Sequence, residues 1–353
     1  MREFKIAVFP GDGIGVDVID EAVRVLEAAQ KCVGGFELKM TRLSWGVAYH
    51  EKTGRIAPGD YLEQLKQYEA VLLGALGWPA KLPDHLTIEP IITMRQRFDQ
   101  YACVRPARLH PGVACPLAGK GPKDVDIVVI RENSEGEYVG LGGRFRKGAA
   151  DESAVETSIH TRRGIERILR FGFDVAMKRP KKHLTMITKS NALKFGMVLW
   201  DEVFEEIKGQ YPSVRADKQH VDAASMNFIR CPEFFDVVVA SNLFGDILTD
   251  IGGVISGGLG LAPSANINPE RKFPSMFEPV HGSAPDIAGK GIANPTAAIL
   301  SAAMMLDFLE LRDAAECIRA AVERALAEGC GTPDLDGSLR TSQMGEEIAR
   351  RVG

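Results

Sequence analysis

Short apolar runs rich in β-branched residues alternate along this chain with longer stretches of helical period. That alternation constrains the fold more than any other feature. "KIAVFP" precedes "DVIDEAVRVLEAAQ", "AVLLGAL" and "DIVVIRE" follow, "HLTMITKS" leads into "NALKFGMVLWDEVFEEIK", and "FDVVVASN" leads into "LFGDILTDIGGVI". The pattern predicts an α/β fold in which helices flank a sheet of buried strands. In the last third, "PTAAILSAAMMLDFLELRD" and "AAECIRAAVERALAEG" read as long alanine-rich helices, the second ending at Gly329 with Pro333 shortly after.

The 353 residues suffice for two lobes and a large core. A proline-rich passage, "VRPARLHPGVACPLAGKGPKD", and a glycine-rich one, "GGVISGGLGLAPSANINPE", are candidate crossings between the lobes. Two crossings make the first lobe discontinuous and leave a cleft, where polar small-molecule sites form.

"FPGDGIGVDVIDEAVRVL" has the look of a dinucleotide-binding turn, a strand running through glycines into a helix. The fingerprint needs G-x-G-x-x-G and an acid about 20 residues on. Here Gly11, Gly13 and Gly15 read G-x-G-x-G, Val16 takes the last place, and Glu37 would open the second strand instead of closing it. A nucleotide site, if present, is expected to be built mainly elsewhere.

Hydrophobic content of 45% and charged content of 25% are those of an ordinary globular protein. A net charge of −4 argues against nucleic acid as a partner. No apolar run reaches membrane-spanning length. The six cysteines are scattered without a C-x-x-C pair, and the N-terminus enters a strand at once. Both features predict a cytoplasmic protein with reduced thiols.

Several residues could carry chemistry. Arg95 and Arg105 bracket "RQRFDQYACVRP", and Arg131 ends the strand "DIVVIRE". A guanidinium matches a carboxylate bidentately, so three convergent arginines suit a di-acid. Arg131 stands where ligands enter an α/β sheet, at the carboxyl end of a core strand. Asp246 and Asp250 lie four apart on one helix face, with Ile247, Leu248, Ile251 and Val254 predicting that the helix is largely buried. Two carboxylates held close call for a cation, and oxygen ligands favour Mg²⁺ or Mn²⁺ over zinc. Asp222 could be a third ligand. Lys189, in "ITKSN", follows another strand and near a divalent cation enters general-base range. Tyr138 is a candidate proton donor. "FEPVHGSAPDIAGKGIANP" lacks periodicity yet combines His281, Ser283, Asp286, Lys290 and Asn294 with three glycines, a mixture suited to ribose, phosphate and adenine.

Together these stretches resemble the β-decarboxylating dehydrogenases, the family of isopropylmalate, isocitrate, homoisocitrate and tartrate/D-malate dehydrogenases, from "GDGIG" through "ANPTAAILSAAMML". The resemblance implies a two-domain, isopropylmalate-dehydrogenase-like fold that is not a Rossmann fold. It places a cofactor domain at 1–101 plus 259–353 and a central substrate and dimerisation domain at 102–258. It implies NAD bound by the "HGSAPD" loop, with Ile14, His281, Gly282, Ser283, Ala284, Asp286 and Asn294 as contacts. It implies substrate arginines at Arg95, Arg105 and Arg131, metal aspartates at Asp222, Asp246 and Asp250, and Tyr138 and Lys189 in catalysis. Mg²⁺ or Mn²⁺ is the expected metal, and a monovalent cation such as K⁺ is allowed for. Lys189 and Asp222 would come from a second subunit, making the active unit a homodimer with shared sites.

NADP-using relatives carry Lys-Tyr in place of Asp286-Ile287, so Asp286 points to NAD. Isocitrate enzymes carry serine where Ile91 stands, and an apolar wall of Ile88, Ile91 and Ile92 disfavours a γ-carboxylate. "GWPAKLPDH", "PGVACPLAG" and "RENSEGEYVGLGGR" resemble tartrate/D-malate dehydrogenases most, while "TIEPII" departs from them. The expected reaction is oxidative decarboxylation of D-malate to pyruvate and CO₂, with tartrate a further substrate. Isopropylmalate oxidation is the alternative. A non-catalytic nucleotide-sensing relative would have lost a metal aspartate, the lysine or the tyrosine, and none is missing.

Overall fold

The computed structural model describes residues 1–353. The chain begins β1 (Arg2–Gly11), α1 (Ile14–Val33), β2 (Phe36–Arg42), α2 (Val47–Thr53), α3 (Tyr61–Leu65), β3 (Ala70–Ala75), α4 (Asp84–Thr87) and α5 (Glu89–Arg97). The middle comprises β4 (Ala102–Arg108), β5 (Asp126–Glu132), β6 (Gly136–Phe145), β7 (Ser153–Ile159), α6 (Arg162–Lys178), β8 (His183–Thr188), α7 (Gly196–Lys208), β9 (Arg215–His220), α8 (Val221–Arg230), β10 (Val237–Ala240) and α9 (Asn242–Ile255). It ends with β11 (Pro263–Ile267), β12 (Ser275–Pro279), α10 (Thr296–Phe308), α11 (Arg312–Ala327) and α12 (Thr341–Val352).

Ten strands form one sheet in the order β2-β1-β3-β12-β11-β4-β5-β10-β8-β9, and β6 pairs with β7 in a separate hairpin. The two ends of the chain therefore supply one half of the sheet and the middle supplies the other. They join where β11 runs antiparallel to β4, Ala265 opposite Val104. The pleat sends alternate side chains to opposite faces. In β1, Ile6 and Val8 enter the core under α1 and the three C-terminal helices, while Ala7 and Phe9 enter a second core with Trp45, Leu73 and Phe98. In the middle half, Val237 and Val239 pack towards α6 and α7, and Val238 and Ala240 towards α8 and α9.

Helix α1 shows how these layers hold. Val18, Ile19, Ala22, Val25, Leu26 and Ala29 form its fully buried stripe, at the spacing of a helix packed on one side. Truncating Leu26 to Ala there would cost about 2–5 kcal/mol. No helix is long and apolar enough to cross a membrane.

Candidate active site

The junction of the two half-sheets gathers the arginines. Arg105 comes from β4, Arg131 from β5 and Arg95 from the last turn of α5, and all three are buried. Strand β5 is buried enough to leave Arg131 only 1% exposed. Gly245 on α9 makes room for it, because a Cβ there would lie 2.7 Å from Arg131 Cβ and Cγ. Arg131 donates to Asn242 Oδ1 at 2.9 and 2.6 Å and forms a short ion pair with Asp246. Arg105 donates through Nη1 to Asp246 Oδ1 (3.1 Å) and Thr249 Oγ1 (2.7 Å), and through Nε to Ser264 Oγ (3.3 Å). Tyr138, on β6, donates its hydroxyl to Asp246 Oδ2 at 2.7 Å, and the Arg131 guanidinium lies over its ring. Two arginines and one tyrosine thus converge on a single carboxylate. Arg95 stands beside them, held by Glu278 Oε1 at 2.7 Å.

Electrostatics separates the two aspartates of α9. Burial pushes Asp246 up, but Arg131, Arg105 and the Tyr138 hydroxyl outweigh it and hold the carboxyl below its ordinary range. Asp250 is pushed up, by burial first and by Asp246 second, against weaker help from Arg105 and Arg131. It forms no ion pair. A solvent-accessible carboxylate with a like-charged neighbour and no cationic partner fits a divalent metal ligand. Burial, and next the Asp246 charge, raise Tyr138, so its hydroxyl keeps its proton at neutral pH.

Lys189 and Asp222 lie elsewhere. Lys189 follows β8, Asp222 opens α8, and they pair with each other at 2.8 Å. No three acidic, histidine or cysteine side chains of one chain converge as a metal site. The expected trio Asp222, Asp246 and Asp250 is therefore not assembled within a single chain.

The wall before Arg95 needs correction. Ile91 is 7% exposed and packs into the core with Met94 and Phe98. The apolar surface presented outward is Ile88, 40% exposed, flanked by the half-buried Ile92. Helix α9 also differs from expectation. Leu248 is buried, whereas Ile247 and Val254 are 48% and 56% exposed.

The "GDGIG" turn and the "HGSAPD" loop touch. Ile14 N–H donates to Ser283 C=O at 2.8 Å, and any Cβ on Gly13, whose φ is +58°, would meet that oxygen at 1.9 Å. Only glycine fits there. His281 Nδ1 pairs with Gly282 C=O at 2.9 Å, while its Nε2 is buried without a partner. Asn294 donates to Asp334 at 3.0 Å and accepts from Thr296 N–H at 3.0 Å, which fixes its amide. Gly282 and Asp286 are exposed, and Ala284 sits in the left-handed region at φ 38°. An orphaned imidazole nitrogen and an exposed carboxylate on a glycine-bearing loop fit a dinucleotide's polar groups.

Sequence reasoning missed the residues that hold the arginines: Glu278, Asn242, Thr249, Ser264 and Asn266. Glu278 accepts from Asn266 Nδ2 at 2.8 Å as well as from Arg95, and Asn133 donates to Asn266 Oδ1 at 2.9 Å. The available signal was a charge inside the apolar strand "SMFEP".

The isocitrate/isopropylmalate dehydrogenase profile matches residues 5–348. The chain belongs to that family. It is 50% identical to D-malate dehydrogenase [decarboxylating] of Escherichia coli, over 100% of this chain and 99% of that one. It is equally similar, at 50%, to tartrate dehydrogenase/decarboxylase of Pseudomonas putida, over 99% and 97%. Identity to 3-isopropylmalate dehydrogenase of Thermobifida fusca is 47%, over 99% and 98%. In three dimensions it resembles isocitrate dehydrogenase from Methylococcus capsulatus, with a TM-score of 0.89, 39% identity and coverage of 100% and 99%. The fold is that of the family, as expected, and the protein is an oxidoreductase acting on a CH–OH group.

Proposed function

We propose that this enzyme oxidises and decarboxylates a 2-hydroxy di-acid, D-malate to pyruvate and CO₂, using NAD and Mg²⁺ or Mn²⁺, with tartrate a further substrate. The observation that carries the reading is the grip on Asp246. One carboxylate draws in Arg105, Arg131 and the Tyr138 hydroxyl beside a third arginine. A substrate's C4 carboxylate is the natural competitor for that grip.

Asp246 and Asp250 of one chain, with Asp222 of a second copy, would hold the divalent cation. That ion supplies Lewis-acid polarisation of the substrate oxygens, and NAD supplies the hydride acceptor. The three arginines orient the di-acid and offset its charge. Lys189 of the second copy takes the C2 hydroxyl proton, directly or through water, as the C2 hydride leaves. Loss of CO₂ from the resulting 2-keto acid leaves an enolate carbon, to which Tyr138 delivers the proton it keeps at neutral pH. We assign the cofactor lobe to 1–101 with 259–353 and the substrate lobe to 102–258. Asp286, exposed and without an ion pair, favours the two ribose hydroxyls of NAD and repels a 2′-phosphate.

Malate has nothing at C3 for the apolar surface of Ile88 and Ile92 to hydrogen-bond. Tartrate's second hydroxyl would cost about 1–3 kcal/mol there if unpaired. The same surface favours a second reading, since an isopropyl group buried on it would gain about 1.5–3 kcal/mol. NADH formation with Mn²⁺, measured on D-malate, the tartrates, 3-isopropylmalate and isocitrate, separates them. The highest kcat/KM is expected for D-malate. A clearly higher value for 3-isopropylmalate overturns the substrate, and preference for NADP overturns the cofactor.

A further inference from the structure

Strand β8 ends at Thr188, and the turn that carries Lys189 comes next. Helix α7 holds that turn through Asp201. The Asp201 carboxylate accepts from Thr188 Oγ1 at 2.7 Å and from Ser190 Oγ at 2.9 Å, so it grips the residues on both sides of Lys189. Lys218 Nζ donates to the same carboxylate at 2.9 Å. Lys218 belongs to β9, which lies beside β8 with Thr188 opposite His220 and runs straight into α8, where Asp222 stands in the first turn. Asp201 bonds to neither Lys189 nor Asp222, which pair with each other. Burial pushes its carboxyl up, but Thr188, Lys218 and Ser190 outweigh this and hold it below its ordinary range, so it is charged at neutral pH. The packing of α7 rests instead on Met197, Trp200, Val203, Phe204 and Ile207.

We propose that Asp201 is a positioning residue for proton transfer: it fixes the main chain on both sides of Lys189 and, through Lys218, the strand that delivers Asp222. The inference rests on the reading of Lys189 as the base. A lysine side chain is a flexible four-carbon stem, so its amine is placed only as well as the main chain beneath it. Lys189 C=O accepts from the N–H groups of Ala192 and Leu193 at 3.0 and 2.9 Å, which closes the far side of the turn. Asp201 holds the near side through Thr188. Asparagine there keeps the shape but loses the charge and one acceptor oxygen, so Ser190 or Lys218 comes loose. A misplacement of about 1 Å at a reacting group can cost about 100-fold in rate.

The test compares D201N and S190A with the wild-type enzyme on the best of the substrates named above, with NAD and Mn²⁺. D201N should lower kcat roughly 10- to 100-fold and leave KM within about threefold. S190A, which removes one strut only, should lower kcat by roughly three- to tenfold. Where D201N melts out, S190A carries the comparison. Subunit exchange then separates positioning from general damage. D201N mixed with Y138F should recover roughly a quarter of wild-type activity, because an intact Lys189 turn then serves an intact Tyr138. D201N mixed with K189A should not rise above its own level. Unchanged kcat in both variants, a loss confined to KM, recovery with K189A, or no recovery with Y138F would each overturn the assignment. K189A mixed with Y138F is the control. If that pair fails as well, it is the shared-site reading that has failed, and kcat against KM alone decides the role of Asp201.

Discussion

Asp246 and Asp250 sit one helical turn apart and should do opposite things for folding. Asp246 neutralises two buried guanidinium groups, so D246N leaves Arg131, 1% exposed, with only Asn242 as a partner. Because the carboxylate itself is partly solvated, the cost is set at about 1–3 kcal/mol. D250N removes a carboxylate that burial and Asp246 already disfavour, so stability should hold or rise. Both variants should lose roughly 100-fold or more in Mn²⁺ affinity and turnover. Thermal melts and Mn²⁺ titration check this, and D250N melting below D246N would sink it. His110 gives a pH dependence. It is buried with Nδ1 unpartnered, and burial followed by the Arg108 charge pushes it from 6.5 down to about 4. Between those values the unfolded chain binds the proton and the folded one does not. Stability from neutral His110 is therefore complete above pH 6.5 and is lost as pH falls towards 4, up to about 3 kcal/mol. H110Q should flatten that part of the melting-temperature curve, and an unchanged slope in the variant would refute the assignment.

At the scale of elements, the buried strands and long helices were legible because each carries its own periodicity. β1, β5, β8, β10, α10 and α11 all appear where the pattern put them. The β6–β7 hairpin was not, since "GEYVGLGGRF" is glycine-rich and largely exposed and so has no core-facing alternation. The burial of α9 was misjudged for a related reason. Its apolar residues run around the helix, one side facing β4 and β5 and the other facing outward. Composition cannot say whether the second side meets its own chain or another. Beside it, α8 exposes Met226 and Ile229 at 54% and 52%, and the hairpin exposes Phe145 at 69%. Exposed apolar side chains on the neighbouring helices α8 and α9 suit an interface, and a second copy is the occupant proposed above. Placing a charge at Ile229 should leave the monomer folded, because the side chain is exposed. A twofold interface counts the change twice, so I229E should weaken self-association at least about 100-fold. Sedimentation with circular dichroism decides it, and an I229E protein that remains a tight dimer would count against these helices as the interface.

Across the whole molecule, the site is assembled by contacts distant in sequence, and this set the limit on what could be read. Arg95 and its partner Glu278 are separated by 183 residues, and Arg131 and Asp246 by 115. The residues of the constellation could be named from short motifs, but not the ones that aim them, which depend on β12 and β11 lying between β3 and β4. The same limit applies between molecules. Lys189 and Asp222 pair with each other at the surface, 28% and 62% exposed at their side chains, and neither bonds to Asp246, Asp250 or Tyr138. If the functional site takes Tyr138, Asp246 and Asp250 from one copy and Lys189 and Asp222 from another, two inactive proteins should complement. K189A keeps a sound Tyr138, and Y138F keeps a sound Lys189. After subunit exchange at equal concentration, half the dimers are hybrids with one intact site of two, so the mixture should recover roughly a quarter of wild-type activity. Sites complete within one chain would give no recovery, because every site would then carry one of the two lesions. Exchange must be verified independently, for instance by mass spectrometry of differently tagged chains. With exchange verified, a mixture as inactive as its components would place Lys189 with its own chain's Tyr138 and remove the requirement for a dimer.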